Sequence, residues 1–325
     1  MGSETGLGVV RGGGIVAADA ALLDRAQELA TASRADATLS AYDRDWRHFT
    51  AWAAAHDLTP LPAESATVAM YAADLTDSYK PSTIARRIAA ISVAHQHAGH
   101  SSPTRDASVR SVLAGIRRTS GTAPAQVAPA TIGDIRRMVS RLGEDTIDVR
   151  DRALLLVGFA GAFRRSELVA LDVADLVDND DGLVIAVRRS KRDQEGRGDT
   201  KAIPYGTDHE TCPVRAVKAW MEHAGITEGP VFRSVDRHGN VSTAALSGRA
   251  VADIVKRAAE RAGLDPQRYS GHSLRAGFVT TAAANGATER AIARQTGHAP
   301  NSTVLRTYIR HASAFTDNAV STIGL

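Results

Sequence analysis

The sequence predicts a mainly α-helical protein in two parts. The first is all helical; the second is mixed α/β, mostly helical with a small antiparallel sheet. Three observations predict this. Apolar residues recur at helical spacing through most of the 325 residues. The stretches 183–190 and 201–205 alternate and flank a polar loop, as a short hairpin does. Residues 119–130 are small, Pro-containing and uncharged, and read as a linker.

The elements follow in order. Residues 1–19 carry Gly6, Gly8, Gly12, Gly13 and Gly14 with no strand before them, and read as a flexible tail and not a phosphate loop. Leu39, Tyr42, Trp46, Phe49 and Ala53 share one helical face, with Trp46 and Phe49 as core. A second helix is expected over 64–78. A third starts at Pro81, which suits a first turn, and runs to about His97. A fourth lies near 106–118, so the helical first part spans 20–118. After the linker, Thr131 and Asp134 have capping-box spacing, with Ile132, Ile135, Met138 and Leu142 on one face behind them. A strongly apolar helix follows around 149–160, then the hairpin, and from 212 onward the pattern reads as helical.

Composition narrows the function. Hydrophobic residues make up 43% and charged residues 23%, which excludes global disorder. No stretch approaches the roughly 18 apolar residues of a membrane span. No basic-then-apolar leader is seen, so a cytoplasmic protein is expected. Cys212 is the sole cysteine, which excludes an internal disulfide and a multi-cysteine zinc site. The net charge is only +3, but it is unevenly spread. Residues 1–79 hold 5 basic against 11 acidic side chains; residues 80–128 hold 7 against 1. That basic block puts Arg86 and Arg87 on the third helix and Arg110, Arg117 and Arg118 on the fourth. Such a block is a solvated face or a phosphate-binding one.

Four polar islands stand out in the second part. Arg164 and Glu167 are three apart at a helix start, alone an ordinary ion pair. Lys191 lies in the loop of the predicted hairpin, in Ser190-Lys191-Arg192-Asp193. His272 and Arg275 share the start of a helix ending near Gly286; the adjacent Arg favours a neutral imidazole, able to accept a proton. His298, after Thr296-Gly297, is followed ten positions later by Tyr308, the only tyrosine beyond it.

Together and in this order, Arg, Lys, His-x-x-Arg, Gly-His and Tyr resemble the tyrosine recombinases, the phage integrase family. The resemblance covers essentially residues 20–312. It implies a helical core-binding domain over 20–118, a catalytic domain over 131–312, and a tail over 313–325 for subunit contact. The layout is similar to the simple Cre and Xer type, with little room before residue 20 for an arm-binding domain. Ala162 stands where the family usually has Gly, and Arg165 where an aliphatic residue is common; both read as tolerable on a surface helix. The interval from His298 to Tyr308 is one residue longer than usual.

The resemblance implies a site-specific recombinase that cuts and rejoins DNA through a 3′-phosphotyrosine, with no cofactor, metal or ATP. Tyr308 would be the nucleophile, Arg164 and Arg275 the clamp on the phosphate, and His272 and His298 its assistants. Lys191 would protonate the leaving oxygen, with Lys201 at the far end of the same hairpin as its rival for that role, and Glu167 would orient the cations. Chemically, a phosphotyrosine conserves the energy of the broken bond, and guanidiniums neutralise charge on the non-bridging oxygens. Arg189 and Arg192 beside Lys191 should ease its loss of a proton. Lys201, at the start of the second strand, is expected to face outward, its loss being nearly silent. The expected partner is double-stranded DNA with inverted repeats, bound by a dimer at one site and a tetramer at synapsis, in the nucleoid. A type IB topoisomerase and a non-cleaving DNA-binding regulator are the alternatives. Clustered acidic and histidine ligands at metal-binding spacing are lacking, against a metallophosphoesterase.

Overall fold

The computed structural model describes residues 22, 25, 36–120, 127–188, 198–299, 302–312, 320 and 323. The expected N-terminal tail, the middle of the linker, Lys191 and nearly all of the C-terminal tail lie outside the described residues. The chain divides into two compact units, Met1–Ala125 and Gln126–Leu325.

The first unit contains α1 (Asp36–Ala55), α2 (Ser65–Asp74), α3 (Pro81–His97) and α4 (Ala107–Ser120). The helical face read from the sequence places Phe49 and Ala53 in the core with Val68, Tyr71, Ile84, Ile88, Ile91, Val109 and Ile116. Trp46 is half-buried at its edge, and Phe49 and Tyr71 meet edge to face at 5.0 Å. Pro81 occupies the first turn of α3, where its missing N–H costs nothing.

One expectation changes here. Arg87 does not reach the surface. It is buried, with its guanidinium 4.1 Å over the Tyr79 ring and donating to the Tyr71 hydroxyl at 3.2 Å. It also faces buried Asp45 at 3.8 Å, so its charge is used inside the unit. Arg86 remains exposed and pairs with the same Asp45 at 3.1 Å; Arg110, Arg117 and Arg118 are exposed on α4.

The second unit opens with α5 (Ile132–Val139), whose expected capping box is present. The Thr131 hydroxyl accepts from the Asp134 N–H, and the Asp134 carboxylate accepts from the Thr131 N–H. α6 (Thr146–Ala160) is apolar all round in its second half and is buried along most of its length, packed by α8 (Pro213–His223) and α10 (Gly271–Ala284). Its buried Asp148 and Asp151 are held by Arg261 at 2.6 Å and Arg257 at 3.0 Å, both from α9 (Gly248–Arg261).

The expected hairpin forms, as β2 (Gly182–Val187) and β3 (Asp199–Pro204). β1 (Leu176–Asn179) adds to β2 to complete an antiparallel sheet in the order β1-β2-β3. A second antiparallel pair, β4 (Arg233–Val235) and β5 (Val241–Ala245), lies where the sequence reads as helical. The short helix α7 (Arg165–Val169), then α11 (Glu289–Thr296) and α12 (Thr303–Ala312), complete the unit. No helix among the described residues is long and apolar enough to cross a membrane.

Gly277 fixes how α10 sits. A Cβ there would stand 1.7 Å from the Ala130 carbonyl oxygen, and the Ala130 N–H donates to the Ser273 carbonyl of the same helix at 2.9 Å. Gly277→Ala therefore has to displace backbone. It is expected to cost about 3 kcal/mol and to lower Tm by roughly 6–12 °C. Gly133→Ala, whose Cβ meets only the Thr131 hydroxyl at 3.8 Å, should leave Tm unchanged or slightly raised. Equal Tm values for the two variants in thermal unfolding would contradict this packing.

Candidate active site

The end of α6 delivers the first part of the site. After Gly161, Ala162 takes a left-handed conformation (φ 46°) and is fully buried. The position is thus a strained turn and not a surface helix, and glycine would adopt it without that strain. The turn points the Ala162 carbonyl inward, where it accepts from Arg275 Nη1 at 2.8 Å. Arg165 is exposed, and its aliphatic stem lies against Gly271.

Arg164 is the N-cap of α7. Its backbone N–H donates to Glu167 Oε2 at 2.9 Å and its guanidinium to Glu167 Oε1. Glu167 is buried, so one carboxylate holds both the main chain and the side chain of Arg164.

Arg275 and His272 come from α10. Arg275 is only 3% exposed. Burial first, and then the Arg164 charge, lowers its pKa to about 10, with Glu167 opposing. His272, flanked by buried Gly271 and Ser273, is itself exposed to solvent. Burial first, followed by Arg275, Arg165 and Arg164, holds its imidazole below the usual histidine range. It is therefore neutral at pH 7 and able to accept a proton.

His298 follows the left-handed Gly297 that ends α11. The Thr296 hydroxyl donates to the Ile292 carbonyl at 2.7 Å, so it accepts from His298 Nδ1–H at 2.7 Å. That leaves Nε2 as the atom facing Arg275 Nη2 at 3.4 Å. Tyr308 lies on α12, which packs on α10 and α11. Its ring is half-buried against a cluster containing Val279, Ile292 and Leu305. Burial raises its pKa while the nearby Arg275 charge pulls the other way.

Arg164, Glu167, His272, Arg275, His298 and Tyr308 are thus drawn from four helix ends or turns into one electrostatic neighbourhood. Lys191 lies outside the described residues. Lys201 corrects the sequence expectation: it faces inward and is 3% exposed. Its partner in the two-residue alternation, Ile203, is also in the core, and that alternation is the signal that could have placed it. Sequence reasoning misses Gln295 altogether. Its side-chain amide donates to the Ala160 carbonyl at 3.0 Å, 135 positions away, a contact with no local signature.

Comparison with known proteins places this fold and sequence in a family. The pattern of the phage integrase family matches residues 131–314. An integrase/recombinase xerD homolog from Selenomonas ruminantium is 41% identical over 293 residues, covering 89% of this chain and 86% of its own. Among solved structures, the Tn1549 transposon integrase in complex with transposon right-end DNA is similar in fold. Its TM-score is 0.60 at 16% identity, over 87% of this chain and 92% of that one. A lambda integrase dimer bound to a core site gives a TM-score of 0.58 at 18% identity, over 89% and 94%.

A helical unit followed by this mixed catalytic unit, with guanidiniums, histidines and one tyrosine converging, defines an enzyme of DNA strand breakage and rejoining. The chain belongs to the phage integrase family, the site-specific tyrosine recombinases.

Proposed function

We propose that this recombinase cuts one strand of duplex DNA by attack of the Tyr308 phenolic oxygen on a phosphodiester. The O–P bond to Tyr308 forms, the bond to the 5′-oxygen breaks, and a 3′-phosphotyrosyl link remains. A 5′-hydroxyl of a partner strand then attacks that link and releases Tyr308. His272, neutral at pH 7, takes the phenol proton, which burial holds tightly. Arg164 and Arg275 clamp the non-bridging oxygens, and His298, whose Nδ1–H is held by Thr296, donates to them from Nε2 once that nitrogen carries a proton. Glu167 orients Arg164, and Lys191 protonates the leaving 5′-oxygen. No metal, nucleotide or other cofactor takes part.

The observation that carries this reading is Arg275. A nearly fully buried guanidinium with a lowered pKa, aimed between a strained carbonyl and a histidine, is a costly arrangement that an incoming phosphate would relieve.

Within the first unit, residues 20–118 serve as the core-binding domain, joined through 119–130 to the catalytic domain, 131–312. Exposed Arg86, Arg110, Arg117 and Arg118 contact phosphates, which positions the protein and carries no sequence code. The target is an inverted-repeat site bound by a dimer. Two sites join in a tetramer, with residues 313–325 reaching a neighbouring subunit. The setting is the cytoplasm, at the nucleoid.

The test supplies DNA bearing two target sites, in EDTA. Exchange between paired sites, with protein assembling as dimer and then tetramer, is the expected result. Relaxation of generic supercoiled DNA by monomer, without exchange, would instead make the chain a topoisomerase. Binding without any cleavage would make it a regulator.

A further inference from the structure

One buried cation in the second unit has no part in the chemistry above. Lys201 projects from β3 into the interior, with its ammonium 5.1 Å from the centre of the Phe163 ring. It donates to the main-chain carbonyl of Gln295. Gln295 is gripped a second time through its side chain, which donates to the Ala160 carbonyl at 3.0 Å and the Ala202 carbonyl at 3.3 Å. The end of α6, strand β3 and the end of α11 are therefore tied at a single residue.

This tie sits at the entrance to the turn that carries His298. Gln295 is the penultimate residue of α11, and its carbonyl is among those a helix end leaves without an intrahelical partner. These carbonyls carry the negative end of the helix, so an ammonium is a fitting cap. The next three residues are Thr296, which holds His298 Nδ1, then left-handed Gly297, then His298 itself. Any shift of the Gln295 peptide passes through two residues into the imidazole.

We propose that Lys201 is a positioning residue for strand cleavage: its ammonium pins the Gln295 carbonyl to β3 and so fixes the turn that presents His298 to the scissile phosphate. The proposal rests on the role given to His298 above. The charges acting on the ammonium are Glu167 and Asp199, which favour it, and Arg275 and Arg164, which oppose it. Burial outweighs them and brings its pKa to about 8. The position therefore keeps a cation in a place where a neutral side chain would be easier to bury.

The experiment measures single-turnover cleavage with two substrates, one normal and one with sulfur at the 5′-bridging position, whose thiolate leaves without protonation. Lys201→Met should cleave about 10²-fold more slowly on both, because misplacing one phosphate contact costs about that much. Lys201→Arg, which keeps charge and donor, should recover most of the rate. Lys201→Met added to His298→Ala should slow cleavage by no more than about twofold beyond His298→Ala alone, since both changes remove the same interaction. Lys201→Gln, which keeps a donor without the charge, serves the same comparison if the Met variant does not fold.

Sulfur rescue of Lys201→Met would overturn the proposal and make Lys201 the proton donor. Wild-type rates in Lys201→Met, or losses that multiply with those of His298→Ala, would overturn it too. If the wild-type protein forms no adduct at Tyr308, the reading of the site fails first, and that outcome is seen before any Lys201 variant is compared.

Discussion

Tyr308→Phe is expected to form no covalent protein–DNA adduct, with cleavage reduced on the order of 10⁴-fold or more. The substitution removes one oxygen and keeps the ring that packs beside Val279, Ile292 and Leu305, so the fold should hold. DNA affinity in a gel-shift assay should change by no more than about twofold, because phosphate contacts from arginine carry the binding. The same chemistry sets a pH dependence. His272 must be neutral to accept the phenol proton, and its pKa lies below the usual 6.5. As pH falls through that lowered value, imidazolium forms and kcat/KM should fall; above it, the rate should be level. An acid limb at or above the usual value, or one that persists in His272→Ala, would point to another base.

Arg275→Met should separate activity from stability. Cleavage is expected to fall about 10³-fold, since one of the two phosphate clamps is lost. Arg275→Lys should recover little, because an ammonium cannot reproduce a planar fork shared between the Ala162 carbonyl, His298 and a phosphate. Thermal stability should move the other way. Burial and the Arg164 charge bring the Arg275 pKa down to about 10, below the usual arginine range, so the folded state is penalised for keeping it charged. Replacing it with an apolar side chain of similar length removes that penalty along with the hydrogen bonds to the Ala162 carbonyl and His298. A Tm equal to or above wild type is expected at neutral pH. A variant that is both inactive and strongly destabilised would show Arg275 to be a structural cation.

The sequence made the helices legible where one local rule sufficed. Trp46 and Phe49 mark a helical face, Pro81 a first turn, and Thr131 with Asp134 a capping box; each needs only neighbours in the chain. The second hairpin escapes because Arg233–Val235 is three residues long and largely polar, too short to show alternation. Arg87 reads as surface because charge alone says nothing of direction. Its partners Tyr71 and Asp45 come from two other helices. Within the site, residue types in order are informative, whereas orientation is not. Ala162 can be seen as unusual, but its left-handed turn and the carbonyl it offers to Arg275 depend on the end of α6. Lys201 and Gln295 are 94 positions apart, and their bond exists only once β3 and α11 have packed.

The central claim, a phosphodiester carried on Tyr308, is tested most directly by locating the adduct. Wild-type protein is incubated in EDTA with a nicked suicide substrate, from which the cleaved fragment diffuses away, and the trapped complex is digested with nuclease and trypsin. Mass spectrometry should find a nucleotide 3′-phosphate on the peptide Thr307-Tyr308-Ile309-Arg310, attached at the tyrosine. An adduct on any other residue, or cleavage with no adduct at all, would contradict the account.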